Sequence, residues 1–354
     1  MADVHSFFRV EERDTVELVF MTVSIAGIPL TFVALVIILT NTPPPMKTYK
    51  WIIVNLTVTS FLTDFVICFL FDPIPLFPEV ACYSKTWVAN VTEEANYILL
   101  CVSILMLQLT LSGTLVAFIY RMRSLGNLFH SLLNFSNYGF HHIAGTTYSL
   151  GLTPVVAVLI IGYKPHSEMR DILKNTPELS FLHNYGSYLI TSRSDPDFII
   201  FKAIWLCSAF TIVLICIVIA ATIIIQLHRW KQSMSPKCLE MHRSLTIHLT
   251  VQILIPVGTT LIPLLVLFSS RYIKVPFGAQ FWNLVISQTL ALHSPLNTIA
   301  TILATEHYLA AFIRPLKRLL SIFPRTQQKS TTNLHNKTES DTTQAKWADV
   351  SCRG

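Results

Sequence analysis

The sequence predicts an all-α protein: seven membrane-crossing helices in one bundle, N-terminus outside, C-terminal tail inside. Three observations lead there. The 354 residues are 52% hydrophobic and 13% charged, against about 25% charged in a soluble domain, and the mean hydropathy is +0.53. The charges sit between apolar runs of about 20 residues, the length that crosses roughly 30 Å of hydrocarbon. Lysines and arginines gather in alternate connections, which marks those as cytoplasmic.

The runs lie at 16–40, 51–77, 95–120, 141–162, 198–226, 245–269 and 281–305. Each stays apolar around its circumference, where a soluble helix would show a polar face. Residues 1–15 are acidic, so the first run reads as a span and not as a cleavable signal peptide. The second run begins at Trp51 and ends in Asp72, Pro73, Pro75 and Pro78, an ending that also admits a re-entrant path. The fourth is diluted by Ser, Thr and Gly. Tyr49, Trp51, Tyr163, Trp230 and Trp282 fall at headgroup depth. One set of connections carries Lys47, Lys50, Arg121, Arg123, Arg229, Lys231 and Arg243; the other carries Glu11, Glu12, Asp14, Glu79, Glu93 and Glu94. After the last span, residues 306–324 alternate basic and apolar positions and suit a short amphipathic helix on the inner leaflet, interrupted by Pro315. Residues 325–354 are polar and Ser/Thr-rich and read as a disordered cytoplasmic tail.

Chemistry-bearing residues are few. Of seven cysteines, Cys68, Cys207 and Cys216 lie inside spans as small apolar fillers. Cys82 and Cys101 both fall near the oxidising side and could form a disulfide. Asn90, in Asn90-Val91-Thr92, is the outward-facing candidate for glycosylation; Asn55 lies in the membrane, and Asn134 and Asn336 are cytoplasmic. There is no metal-spaced His/Cys cluster, no phosphate loop and no nucleophile elbow, so neither an enzyme nor a cofactor or metal is expected. His141 and His142 are adjacent and point apart on a helix. Topology accounts for the basic loops, and no nucleic-acid partner is expected.

The polar residues at membrane depth carry more information: Asp64, Gln108, His248, Gln252, His293 and Asn297. A charge at the bilayer centre costs about 2.5–3.5 kcal/mol on insertion scales and faces the bundle interior. Asp64 is expected in an interior network with span seven through His293 or Asn297, with a water-filled path or an ion site as alternatives. Pro29, Pro154, Pro256, Pro263 and Pro295 each remove a backbone hydrogen bond and permit a bend.

Three stretches support a resemblance. "TPPPMKTYKWIIVN" at 42–55 leads into span two, "DPIPLFP" at 72–78 leaves it, and "LHSPLNTIATIL" at 292–303 forms much of span seven. They resemble the nematode serpentine chemoreceptors, seven-helix receptors related to G-protein-coupled receptors, most closely class H (Srh), then class I (Sri). The chain departs from that pattern at the inner end of span three, where "FIYR" at 118–121 keeps Arg121 but has isoleucine in place of the family's glutamate. At the end of span seven, "EHYLAAF" replaces the family's His-x-Pro-Tyr-Arg.

The resemblance implies a GPCR-like receptor in the plasma membrane of sensory-neuron cilia, signalling to a heterotrimeric G protein. A small-molecule ligand, largely apolar, would enter between the outer halves of spans three, five, six and seven, with Cys101, Met106, Trp205, Phe268, Trp282 and Gln288 as candidate lining. Arg121, Arg229, Lys231 and Arg243 would face the transducer, although Arg121 also reads as a simple inside-positive anchor. A multi-pass small-molecule transporter and a ligand-gated channel are the alternatives. The scarcity of buried acids and of internal repeats disfavours the first.

Overall fold

The computed structural model describes residues 10–42, 47–76, 79–124, 137–192, 194–229, 231–232, 236–269, 285–286, 288–305 and 307–314. Among them, six stretches are long and apolar enough to cross a membrane: Met21–Asn41, Thr48–Phe71, Ala95–Ser124, Gly139–Ile161, Pro196–Arg229 and His242–Ser269. A shorter apolar stretch, Leu290–Leu303, takes the seventh place.

The first three spans are α1 (Val10–Asn41), α2 (Lys47–Phe65) and α3 (Ala95–Ser124), and the fourth is α4 (Asn137–Ile161). A short α5 (His166–Lys174) follows outside, then α6 (Pro196–Arg229) as span five. Span six is broken into α7 (Pro236–Pro256), a π-helical turn (Val257–Leu261) and α8 (Ile262–Ser269). Span seven closes with α9 (His293–Leu303).

The break in span six follows from sequence. Pro256 and Pro263 each lack an N–H donor, and the helix absorbs the lost bonds by widening into a π-turn, a recurrent response at functional bends. Span two ends in a second π-turn, Val66–Phe71. Asp72, at φ 39°, closes it by donating its N–H to the Ile67 carbonyl at 2.7 Å. Aspartate is among the few non-glycine residues that visit the left-handed region readily.

The Pro-rich exit is neither helix to residue 77 nor a re-entrant loop. It enters β1 (Ile74–Leu76), which pairs antiparallel with β2 (Val80–Tyr83), and β2 pairs with β3 (Tyr188–Thr191). Pro75 is tolerated because β1 is an edge strand. This sheet caps the outer end of the bundle over its own apolar core, in which Leu76, Tyr83, Leu173, Leu179 and Leu182 are fully buried. The cap is joined to span three without a disulfide: Ser187 Oγ donates to the Glu93 carbonyl at 2.8 Å and accepts from the Asn96 N–H at 3.2 Å. Cys101 is a thiol, so the possible Cys82–Cys101 bridge is not formed.

Asn90, the glycosylation candidate, is engaged within its own loop. Its Nδ2, the atom a glycan would occupy, donates to the carbonyls of Ser84 at 3.0 Å and Thr86 at 2.8 Å. The Asn90 carbonyl faces Gly186 so closely that a Cβ there would sit at 2.9 Å. The side chain is a loop staple in this geometry.

The inner half is packed more tightly. Ile53, Leu56, Phe118, Ile223 and Leu249 from four spans form one buried cluster. Spans three and four meet at Gly151, where a Cβ would lie 2.5 Å from Ser112 Oγ. After span seven, a helix at 307–314 (α10) buries Tyr308 completely, its hydroxyl 2.9 Å from Thr42 Oγ1. That part of the 306–324 segment is thus docked under the bundle through Tyr308. Residues 315–324 and the 325–354 tail lie outside the described residues.

Candidate ligand cavity and the polar network beneath it

Beneath the cap the outer halves of the helices separate around a cavity of about 240 Å³. Ile67 and Phe71 come from span two, Leu100 and Leu107 from span three, Leu159 from span four. Phe198, Phe201 and Trp205 come from span five, and Leu264 and Phe268 from span six. Leu189 and Ile190 of β3 form part of the roof. Trp205 stacks on Phe201 (centroids 6.3 Å apart) and meets the Phe268 ring edge-on at 6.4 Å, so three rings form one continuous aromatic wall.

Of the residues expected to line a ligand site, Trp205 and Phe268 do. Cys101 packs behind the wall, partly buried. Met106 and Gln288 are half-buried and do not line the cavity, and Trp282 lies outside the described residues. Phe198 and Phe201 were missed although they signal themselves, standing at helical spacing on the face that carries Trp205. Contributions from span two, span four and the sheet had no such signal.

At the rim, Lys164 bonds to both Asp195 and Glu168, the latter at 2.7 Å. Asp195 also accepts from Thr191 Oγ1 at 2.7 Å and caps α6 through the Asp197 N–H at 3.0 Å. Burial would raise the Asp195 carboxyl, but the ammonium and these donors outweigh it and hold the group below the usual carboxylate range. Burial would likewise lower Lys164; its two carboxylate partners outweigh that and raise it.

Below the cavity lies the polar network. Asp64 is 8% exposed, and its Oδ2 accepts from the Ser294 backbone N–H at 2.8 Å; its Oδ1 is 3.8 Å from His293 Nδ1. The chain is already helical from residue 288 into α9, where the His293 N–H goes to the Leu290 carbonyl, but the Ser294 N–H is given to the Asp64 carboxylate. That is why a carboxylate can reside at this depth. One turn further in, Asn297 Nδ2 donates to Ser60 Oγ at 2.9 Å. Thr301 Oγ1 meets His248 Nε2 at 3.3 Å and accepts from Gln252 Nε2 at 3.2 Å. Spans two, six and seven are therefore joined by one hydrogen-bonded seam. Gln108 stands apart and ties span three to spans four and five through the Gly151 carbonyl and Ser208 Oγ.

At the inner end Arg121 is not an exposed anchor. It is 4% exposed, with Nη2 donating to the His242 carbonyl at 3.2 Å and lying 3.1 Å from His242 Nδ1. Its guanidinium lies over the Tyr49 ring at 5.9 Å. An imidazole and a carbonyl of span six thus hold the arginine where no adjacent acid exists. Arg229, Lys231 and Arg243 are exposed. Among the described residues no group of three His, Cys, Asp or Glu could hold a metal ion.

The model of the serpentine type 7TM GPCR chemoreceptor Srh matches residues 11–318. The chain belongs to the Srh chemoreceptor family. A search of the curated proteins found no match. As an Srh chemoreceptor the chain is a multi-pass membrane protein of a receptor family, and the matched region contains the whole bundle, the cavity and the Arg121 contact.

Proposed function

We propose that this Srh chain binds a small, largely apolar environmental molecule in the outer cavity and signals by helix rearrangement to a heterotrimeric G protein at its inner face. The observation that carries this reading is a continuous path through span six. Leu264 and Phe268 of α8 wall the cavity, the π-turn at Val257–Leu261 lies directly below, and His242 of α7 holds Arg121. A ligand that fits one setting of α8 better than another shifts the population toward that setting. A bend at the π-turn then moves His242 away from Arg121 and frees the inner face, with Arg229, Lys231 and Arg243 at its edge. The plasma membrane of sensory cilia is the site of action that the family assignment favours, with the N-terminus outside.

Expression with a G-protein reporter against a panel of volatile and diffusible compounds tests the reading. A ligand-dependent signal that is lost in Arg121→Ala at unchanged surface level supports it. A signal that Arg121→Ala leaves intact rejects the inner-face mechanism, and ligand accumulation inside proteoliposomes would identify a transporter instead.

A further inference from the structure

Two polar side chains of the inner half meet on the outside of the bundle. Asn55 of span two is exposed, and its Nδ2 donates to the hydroxyl of half-buried Tyr148, on span four, at 2.9 Å. Both residues lie inside membrane-crossing stretches, so the exposed amide faces lipid. The pair meets over Gly113 of span three, where a Cβ would stand 3.0 Å from the Tyr148 hydroxyl and 3.3 Å from Asn55 Nδ2. The glycine thus makes the floor of a groove between spans two and four, which both pack on span three. Polar side chains in a span ordinarily turn inward or satisfy themselves, because lipid offers no partner. Exposed Thr146, Thr153 and Thr211 do so by returning the hydroxyl proton to the carbonyl four residues back. Asn55 instead spends one N–H on Tyr148, which orients the amide, and its Oδ1 has no donor among the described residues.

We propose that the groove between spans two and four holds a membrane sterol, whose hydroxyl donates to Asn55 Oδ1. The site stands apart from the ligand cavity, which lies in the outer half. Depth and shape favour this occupant. Trp51, 62% exposed, marks the headgroup level with the Lys50 ammonium over its ring at 5.3 Å. Asn55 stands four residues further in, about 6 Å along an α-helix. A lipid whose polar group is a single hydroxyl keeps it just beneath the headgroups, since burying it deeper without a partner is costly. Outward from the pair, Leu62 of span two and Leu152 of span four stand at helical spacing from Asn55 and Tyr148, an apolar bed for a flat ring system. A fused-ring body gives up little conformational freedom there, whereas the acyl chains of a diglyceride would lose many rotamers. Phosphatidylcholine has no donor to offer Oδ1.

The test uses the full-length receptor in phosphatidylcholine nanodiscs containing cholesterol, the matching 3-ketone (an acceptor without a donor) or dioleoylglycerol, with thermal unfolding as the readout. Cholesterol should raise the melting temperature by about 2 °C, the size expected for a well-filled site in a chain of this length, and the ketone by less than half of that. A photoreactive sterol should label spans two and four, about fivefold less in Asn55→Leu, as the loss of one net hydrogen bond allows. The comparison of sterol with ketone needs no variant and stands even if Asn55→Leu folds poorly. Equal shifts with cholesterol and ketone, or labelling that Asn55→Leu leaves unchanged, would show a general response to bilayer order and overturn the site. A larger shift with dioleoylglycerol overturns the choice of sterol. Efficient disulfide dimerisation of Asn55→Cys would assign the groove to a second copy of the chain instead.

Discussion

The two ends of the bundle are closed by different means. Outside, a three-stranded sheet with its own apolar core and an ion cluster at Lys164 and Asp195 roofs an open cavity. Inside, the helices converge on a dense core, and one buried arginine is held by a histidine, a carbonyl and a tyrosine face. The outer end is a lid assembled from loops; the inner end is a latch assembled from helices. A cavity survives where loops hold the helices apart, and it disappears where side chains of four spans interdigitate.

The largest effect is expected at the seam between the two ends. Asp64→Leu leaves the buried Ser294 N–H without its acceptor and should destabilise the receptor by about 3 kcal/mol, read as loss of thermal stability in detergent. Asp64→Asn, which keeps an acceptor oxygen, should cost less than half of that. If the two variants are equally mild, the seam does not hold the spans together. At the latch, His242→Ala should raise ligand-independent reporter signal about fivefold, a shift of about 1 kcal/mol between two states. An unchanged basal signal would show that His242 packs against Arg121 without restraining it.

The lid should respond to pH at both ends of the scale. The depressed Asp195 carboxyl contributes stability at pH above the ordinary carboxylate range, and that contribution decays as pH falls through its lowered value. Raised Lys164 loses its share only as pH climbs through its elevated value. Asp195→Asn should lower thermal stability at neutral pH by about 1–2 kcal/mol and flatten the acid side of the melting profile; a wild-type profile already flat there would reject this. The smallest effect is analytical. With Nδ2 of Asn90 committed to two carbonyls, endoglycosidase should leave the electrophoretic mobility of the cell-surface receptor unchanged, and a mobility shift would show that the loop folds differently.

The bundle itself was legible. Apolar runs long enough to span, with lysine and arginine between them, locate helices because lipid offers no partner for an unpaired peptide group. The juxtaposition of Asp64 with span seven was legible for the same reason, since an acid at that depth must meet a polar group. The cap was not. Strands of three and four residues carry no period of their own, and β1 pairs with β2 only because Asp72 turns the chain out of the π-helix. Nor did single-sequence reading reveal that β3, more than a hundred residues downstream of β1, completes the sheet.

From the sequence alone came the number of crossings, their direction and the list of polar residues that lipid would not tolerate, because each rests on local composition and the cost of burying a charge. Tertiary structure alone decided which faces point inward. It placed Phe198, Phe201 and Trp205 on the cavity, turned Arg121 from the surface to His242, and fixed Asn90 as a staple. Those outcomes depend on the rotation of each helix about its axis, set by packing against neighbours distant in the chain.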